Sequence, residues 1–413
     1  MKHHAIGAAV VLAMLPATGA FAAGLDRSGQ PVAPIFQQGN LVELGWTSLF
    51  PTVEGKESIG AKRDISNMAD KYSFPSAAVK YQANDQWSFS FLYDHPFGAD
   101  AAYDGINVFT NVTSTQAQAA VAKYTTAASD TNVTNVAVTT QSFSLVAGFQ
   151  PNKNWHLYGG PVYQTIKGDV HLRGAAYSVF NGYDANFSNS GAWGFLAGAA
   201  YQIPDIAFRA ALTYRSAIKH DVDTTENFVN YQKLGGAVGT SSTTKIKTPQ
   251  SVNFDLQSGV APNTVAFANL RWVDWSSFSI RPGQFGAISN DLGPSVGKPN
   301  GFNLVEYGKD QYSATVGVGR KFSDQWAGNM SVGWDSGTGE YVTTLGPTRG
   351  NWNLGIGAQY SPTKNFYIGL GAKYFWLGDA KAQVASNVGT TTYQADFKDN
   401  NAVAVGVKVG YRF

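Results

Sequence analysis

From Ala402 to Phe413 the chain alternates without a break. Val403, Val405, Val407, Val409, Tyr411 and Phe413 fall on one face, and Ala402, Ala404, Gly406, Lys408, Gly410 and Arg412 on the other. A period of two is that of a β-strand, whose successive side chains point to opposite faces. An oily face that ends on an aromatic, backed by small and cationic residues, suits a stave with hydrocarbon on its outer side and the bilayer interface at its tip. The pattern predicts a transmembrane β-barrel.

The rest of the chain is consistent with export to a membrane. Lys2, the apolar run Ala5 to Leu15, Pro16 and the small residues of Ala20-Phe21-Ala22 read as a cleavable signal peptide over residues 1–22. An uncleaved anchor is the alternative, but the run is shorter than a bilayer span. No later stretch approaches the roughly 20 apolar residues of a membrane helix, which leaves a soluble fold or a barrel. Glycine at 45 residues, 13% aromatics and only 14% charged residues suit strands that alternate lipid-facing and water-facing positions. The absence of cysteine rules out a disulfide framework, and a formal charge of +2 suggests no nucleic acid partner. The expected location is the bacterial outer membrane.

Connections alternate between short and long. Strand-like segments at 72–83 and 86–97, 137–150 and 154–174, 192–203 and 206–222, 246–260 and 264–281, 310–322 and 325–336, and 351–361 and 365–378 are joined by two- or three-residue turns. An opening strand near 41–54 and the closing strand bring the count to about fourteen. The remaining connections are long and polar, the layout of outer-membrane barrels with periplasmic turns and external loops. Aromatics recur beside the short turns, among them Trp87, Trp155, Trp326, Tyr360 and Phe413, and read as an interfacial girdle. The fold class is therefore all-β, an antiparallel transmembrane barrel.

Faces follow from the alternation. In 208–216, Phe208, Ala210, Leu212 and Tyr214 face lipid and Arg209, Ala211, Thr213 and Arg215 the lumen. In 366–376, Tyr367, Lys373 and Phe375 face inward. The ninth strand is the exception. Arg271 would cost ~2–4 kcal/mol in hydrocarbon at the midplane, so it should face the lumen and carry Phe267, Asn269, Val273 and Trp275 inward with it. A bulge that rephases the strand and sends the aromatics outward is the alternative. Fourteen strands enclose more space than wall side chains fill, so the barrel is plugged or it conducts. Residues 23–39, with Pro31 and Pro34 and no alternation, are the candidate plug, and 40–413 the barrel.

No catalytic motif and no metal-ligand spacing is found. His95, His156, His171 and His220 are scattered over different segments, no cofactor is implied, and the chain reads as a non-enzyme. Two irregularities stand out. At the outer end of the third strand Pro96 cannot donate to a ladder and Gly98 favours a bend, so pairing should break around Pro96-Phe97-Gly98, either as a gap in the wall or as a plain strand end. Residues Ser114 to Ala128 carry apolar positions at helical spacing and suggest a short amphipathic helix, a lid over the barrel or a loop element folded back.

Several blocks together resemble the FadL family of outer-membrane transporters of long-chain fatty acids and other hydrophobic compounds. They are Ala23-Gly24-Leu25; the block from Pro75 through Asn84-Asp85-Gln86-Trp87 to Pro96-Phe97-Gly98; Leu212 to Ser216 with Lys219 and Asp221; Arg271 to Phe278; Lys309 to Tyr312; and the terminal strand. The resemblance implies a fourteen-stranded barrel with an N-terminal hatch, capture of a fatty acid at the loops, an interior pocket, and lateral release into the membrane at a kink in the third strand, here Pro96, Phe97 and Gly98. By position it makes His95, Arg173 and Arg281 the counterparts of the groups that hold the carboxylate; the strand faces read above make Arg271, Phe267, Trp275 and Phe375 the candidates that line the lumen. The hatch departs from the family pattern: it is short and lacks Asn-Pro-Ala, with Pro31-Val32-Ala33-Pro34 in its place.

The expected function is passive transport of hydrophobic or amphiphilic molecules, most directly long-chain fatty acids, by a monomer in contact with outer-membrane lipid. Phe413 is the expected signal to the barrel-assembly machinery. The alternatives are an open porin for hydrophilic solutes and, more remotely, a barrel-borne enzyme.

Overall fold

The computed structural model describes residues 25–110, 133–228 and 240–413. The expected signal peptide and the expected helix at Ser114 to Ala128 lie outside the described residues.

Seventeen strands form one sheet: β1 (Leu41–Thr52), β2 (Tyr72–Gln82), β3 (Trp87–Asp94), β4 (Gly98–Ala102), β5 (Asn135–Phe149), β6 (Trp155–Leu172), β7 (Tyr183–Ile203), β8 (Phe208–Arg215), β9 (Ile218–Phe228), β10 (Thr240–Thr248), β11 (Ser251–Ala261), β12 (Thr264–Val273), β13 (Gln311–Lys321), β14 (Trp326–Asp335), β15 (Arg349–Tyr360), β16 (Phe366–Gly378) and β17 (Asn401–Arg412). In three places two consecutive strands share one stave (β3 with β4, β8 with β9, β10 with β11), which leaves fourteen staves. Every stave pairs antiparallel with its neighbours. The sheet closes because β1 pairs on one side with β2 (Leu41 opposite Lys80) and on the other with β17 (Leu41 opposite Arg412, through to Thr52 opposite Asn401). Closure removes the edges an open sheet would expose.

Three of the short turns share a device. At Asn84 and Asn152 the side-chain Oδ1 accepts the backbone N–H groups two and three residues on, at 2.9 to 3.1 Å, and Ser323 Oγ accepts the same pair at 3.3 and 3.1 Å. These polar side chains bend the chain locally. Each time the third residue is a tryptophan: Trp87, Trp155 or Trp326, all exposed. One tight turn thus sets both the reversal and the position of an interfacial ring.

The alternation read from the sequence holds in the faces. Leu212, Met330, Val332, Leu370, Val405 and Val407 are exposed, whereas Thr213, Ser331, Tyr367, Phe375, Ala402 and Ala404 are buried. In β12, Leu270 is exposed and Arg271 is 3% exposed, and its pairing with β13 runs from Thr264 to Val273 with no shift. The strand is therefore not rephased, and Arg271 faces inward.

Three features of the chain depart from the strand limits read above. Staves seven and eight are each interrupted, at Ser216-Ala217 and Pro249-Gln250. The sixth stave begins at Tyr183 rather than near 192. The ninth ends at Val273, and Trp275 sits in a 3-10 turn (Trp275–Ser277), fully buried. The long loops are folded into a crown. Short strands at Gly55–Glu57, Asp64–Ile65, Tyr341–Thr343, Ala380–Gln383 and Ala395–Phe397 form a five-stranded sheet. Helix α1 (Gly283–Leu292) docks on the rim through Glu226, whose carboxylate accepts the N–H groups of Gln284 (2.7 Å) and Phe285 (2.8 Å). A carboxylate is favoured at a helix N-terminus, where backbone donors are unpaired.

Residues 25–39 lie inside the barrel. Val32 and Ile35 pack among inward-facing Ala78, Leu92, Val146, Tyr158 and Ala211. Above them Ser28 donates to Asp94 (2.6 Å), Asn253 donates to the Gly29 carbonyl (2.9 Å), and Ser251 donates to Gln30 (3.1 Å).

Candidate functional site

Pairing between staves two and three runs only from Ala77 opposite Tyr93 to Gln82 opposite Ser88. Beyond it, Tyr72 to Ser76 pair with β1 alone, and stave three breaks between Asp94 and Gly98 before resuming as β4 against β5. The break is therefore a gap between staves two and three. The cause is local: Pro96 has no N–H to offer a neighbouring strand. The N-terminal segment occupies the gap from within. Arg27 N–H donates to the Pro96 carbonyl (2.8 Å), Gly98 N–H donates to the Leu25 carbonyl (2.8 Å), and Asp26 bridges Phe97.

A cavity with about 1040 Å3 of empty space, its mouth included, lies against this point. Its walls come from both lips of the gap, Tyr72 on one side and Gly98 to Ala101 on the other, and from Leu25 to Arg27. The opposite walls are apolar, with Val138, Ile166, Val170, Phe187 and Ile246 of the staves and Leu304, Tyr307 and Leu345 of the crown. A smaller cavity of about 360 Å3, lined by Tyr177, Phe180, Phe285 and Phe302, shares Leu304, Thr343 and Leu345 with it. The larger cavity by itself reaches from crown residues to the gap, and the smaller one lies beside it in the crown. Concave, mainly apolar space with few polar groups is the usual form of a small-molecule site.

One buried polar cluster fixes the N-terminal segment beside the cavity. Arg271 donates through Nε and Nη2 to the two oxygens of Asp26 (2.8 and 3.3 Å), through Nη1 to Asn253 (2.7 Å), and through Nη2 to Gln30 (3.2 Å). Phe97 stacks edge-on against Trp275 (5.4 Å), which meets Phe278 and Tyr307 and donates through Nε1 to Gln311 (2.7 Å). Arg27 is 8% exposed, sits 3.6 Å over the Tyr72 ring, and packs where a Cβ on Gly98 would fall, 2.6 Å from its Cζ. Burial holds its pKa below the usual arginine value.

The residues picked from the sequence separate into groups. Pro96, Phe97 and Gly98 form the break, with Arg271 and Trp275 next to it. Phe267 faces inward over Gly317, and Phe375 is buried inside the barrel, but neither lines the cavity. His95 stands at the gap, its Nε2 2.8 Å from Tyr93 Oη and its ring near Phe74. Arg173 is turned to Asp184 (2.6 Å) and donates to the Leu172 and Tyr183 carbonyls (3.0 Å each). Arg281 holds the crown, donating to Asn290, to Ser289 Oγ (3.2 Å) and to the Asn300 carbonyl (2.9 Å). Neither arginine lines the cavity. Arg27, which does, carried no sequence signal beyond being a cation in a segment without strand pattern.

The family described as outer membrane protein transport protein (OMPP1/FadL/TodX) matches residues 47–413. No curated protein matches the sequence. Similar solved structures include a FadL homologue from Pseudomonas aeruginosa, with 15% identity, TM-score 0.68, and coverage of 96% of this chain and 97% of that one. The P. putida toluene transporter TodX gives 13% identity, TM-score 0.60 and coverage of 92% and 91%. The Ralstonia pickettii toluene transporter TbuX gives 13% identity, TM-score 0.58 and coverage of 96% of both chains. At these identities the likeness is one of fold.

Proposed function

This chain belongs to the OMPP1/FadL/TodX family of outer-membrane transport proteins, and from that premise we propose that it passes long-chain fatty acids through its lumen and releases them sideways between staves two and three. It is an outer-membrane transporter of hydrophobic compounds. The observation that carries the finer reading is the apolar cavity whose walls include both lips of the gap, with Leu25 to Arg27 standing in for the missing wall. An apolar tail gains roughly 0.8 kcal/mol for each buried CH2, so a cavity continuous from crown to gap draws it inward with no energy source. At the gap, the departing tail passes from protein to hydrocarbon without entering water. A route straight down would cross Val32 and Ile35 and the buried polar side chains beneath them, a less favourable medium for a tail.

Palmitate with a photoreactive tail, loaded onto protein in liposomes, tests the route. Labelling within Tyr72 to Ser76 or Asp94 to Gly98 is expected. Labelling confined to lower-lumen residues such as Tyr367 and Glu43 would overturn lateral release. A large steady ohmic conductance in planar bilayers would instead make the protein a porin.

A further inference from the structure

Arg27 is a buried guanidinium without an ion pair among the described residues. Its Nε and Nη2 have no hydrogen-bond partner. A buried charge is strongly unfavourable unless something compensates it, and the Tyr72 ring and the more distant Asp100 carboxylate, which makes no contact ion pair with it, offset that only in part. The two unpartnered atoms form one edge of the guanidinium, the fork that fits a carboxylate with two parallel bonds. The same fork is in use on the neighbouring residue of the N-terminal segment, where Nε and Nη2 of Arg271 on the ninth stave hold the two oxygens of Asp26. Arg215, also buried with unpartnered nitrogens, donates to the Gln30 carbonyl and does not line the cavity.

We propose that Arg27 is the head-group receptor of the cavity, so that this transporter selects amphiphiles with a carboxylate or similar planar anion over neutral molecules of the same chain length. The inference rests on the transport reading above and names the residue that decides its substrate class. The cavity also carries Asp70 and Asp100; neither makes a contact ion pair with Arg27, although Asp100 is within Coulombic reach of it, so a bound carboxylate must win by engaging the fork directly. Because the fork is shielded, the head group reaches it only when the Arg27 side chain leaves its seat between Tyr72 and Gly98. The main chain of the same residue seals the gap, so capture of the head group acts on the seal.

The test uses the full-length purified protein and two probes of equal chain length, palmitate and 1-hexadecanol, with Arg27→Gln and Arg27→Lys beside wild type. Retention of the heat-modifiable mobility of a folded barrel on gels shows that each variant is intact. Arg27→Gln is expected to weaken palmitate binding by about tenfold or more, the effect of losing a charge-assisted hydrogen bond, to leave 1-hexadecanol unchanged, and to be partly rescued by lysine. Loss of both probes together would make Arg27 a packing residue and overturn the proposal. So would unchanged palmitate binding, in which case the transport reading stands. Failure of wild type to bind either probe would overturn the transport reading along with the proposal.

Discussion

The Asp26 carboxylate and the Arg271 guanidinium meet at 2.8 Å with both side chains 1% exposed, which fastens the N-terminal segment to the ninth stave at the height of the gap. Removing one partner of such a pair leaves a buried, uncompensated charge. Asp26→Ala is therefore expected to destabilise the seated segment by about 3–5 kcal/mol. Planar-bilayer recordings should then show channel openings that wild type lacks, and replacing both partners together by Leu and Met should suppress them again. Identical silent traces from Asp26→Ala and wild type would show that the pair does not hold the segment.

Gly98 tests the seat of Arg27. A Cβ at this position would lie 2.6 to 2.7 Å from three guanidinium atoms, so Gly98→Ala should push the arginine aside and loosen the segment. The chain has no cysteine, so Ser28→Cys gives a single reporter. Maleimide labelling of that cysteine is expected to be faster in the Gly98→Ala background; equal rates would mean that the arginine accommodates the methyl without moving the segment.

The ninth stave offers a test of its faces with two adjacent residues. Leu270 is exposed on the outer wall, and Asn269 donates to Asp255 on the inner side (2.8 Å). Leu270→Arg places a cation against lipid and is expected to cost ~2–4 kcal/mol toward the bilayer centre. Asn269→Arg, beside a carboxylate, should cost about 1 kcal/mol or less. Urea unfolding in liposomes reads both, and a reversed order would mean that the strand is out of phase.

Arg173 and Arg281 bear on the crown rather than the cavity. Arg173→Ala takes a partner from Asp184, and Arg281→Ala takes donors from Ser289 and Asn290. Each should speed proteolysis of the outer loops while palmitate affinity stays within about twofold, the scatter expected of a residue that makes no contact with the ligand. A tenfold loss of affinity in either would make that residue a second head-group partner.

Most of the wall was legible in the sequence because its signal is local. Alternation of period two marks a stave and its faces, and Arg271 alone fixes the phase of β12, since no other phase keeps its charge out of lipid. Pro96 likewise announces the break through the donor it lacks. The interruption at Ser216-Ala217 has no comparable marker. The crown was illegible because its strands, such as Gly55–Glu57 against Ala395–Phe397, are too short to show a period and pair across most of the chain. Arg27 was missed for a related reason: its role comes from Tyr72, Gly98 and the cavity, none of which is near enough in sequence to leave a pattern.

The pairing of β1 with β17 has a consequence in time. The first stave leaves the ribosome more than three hundred residues before its last neighbour, Leu41 against Arg412, and cannot find that neighbour until it too has been made. Until then no cotranslational intermediate has all its strand edges covered, and each exposes a template for aggregation. Pairing across so long a separation is also intrinsically slow. The step that closes the sheet on itself is therefore the one that the twelve residues of β17 make, and every earlier pairing leaves an edge open.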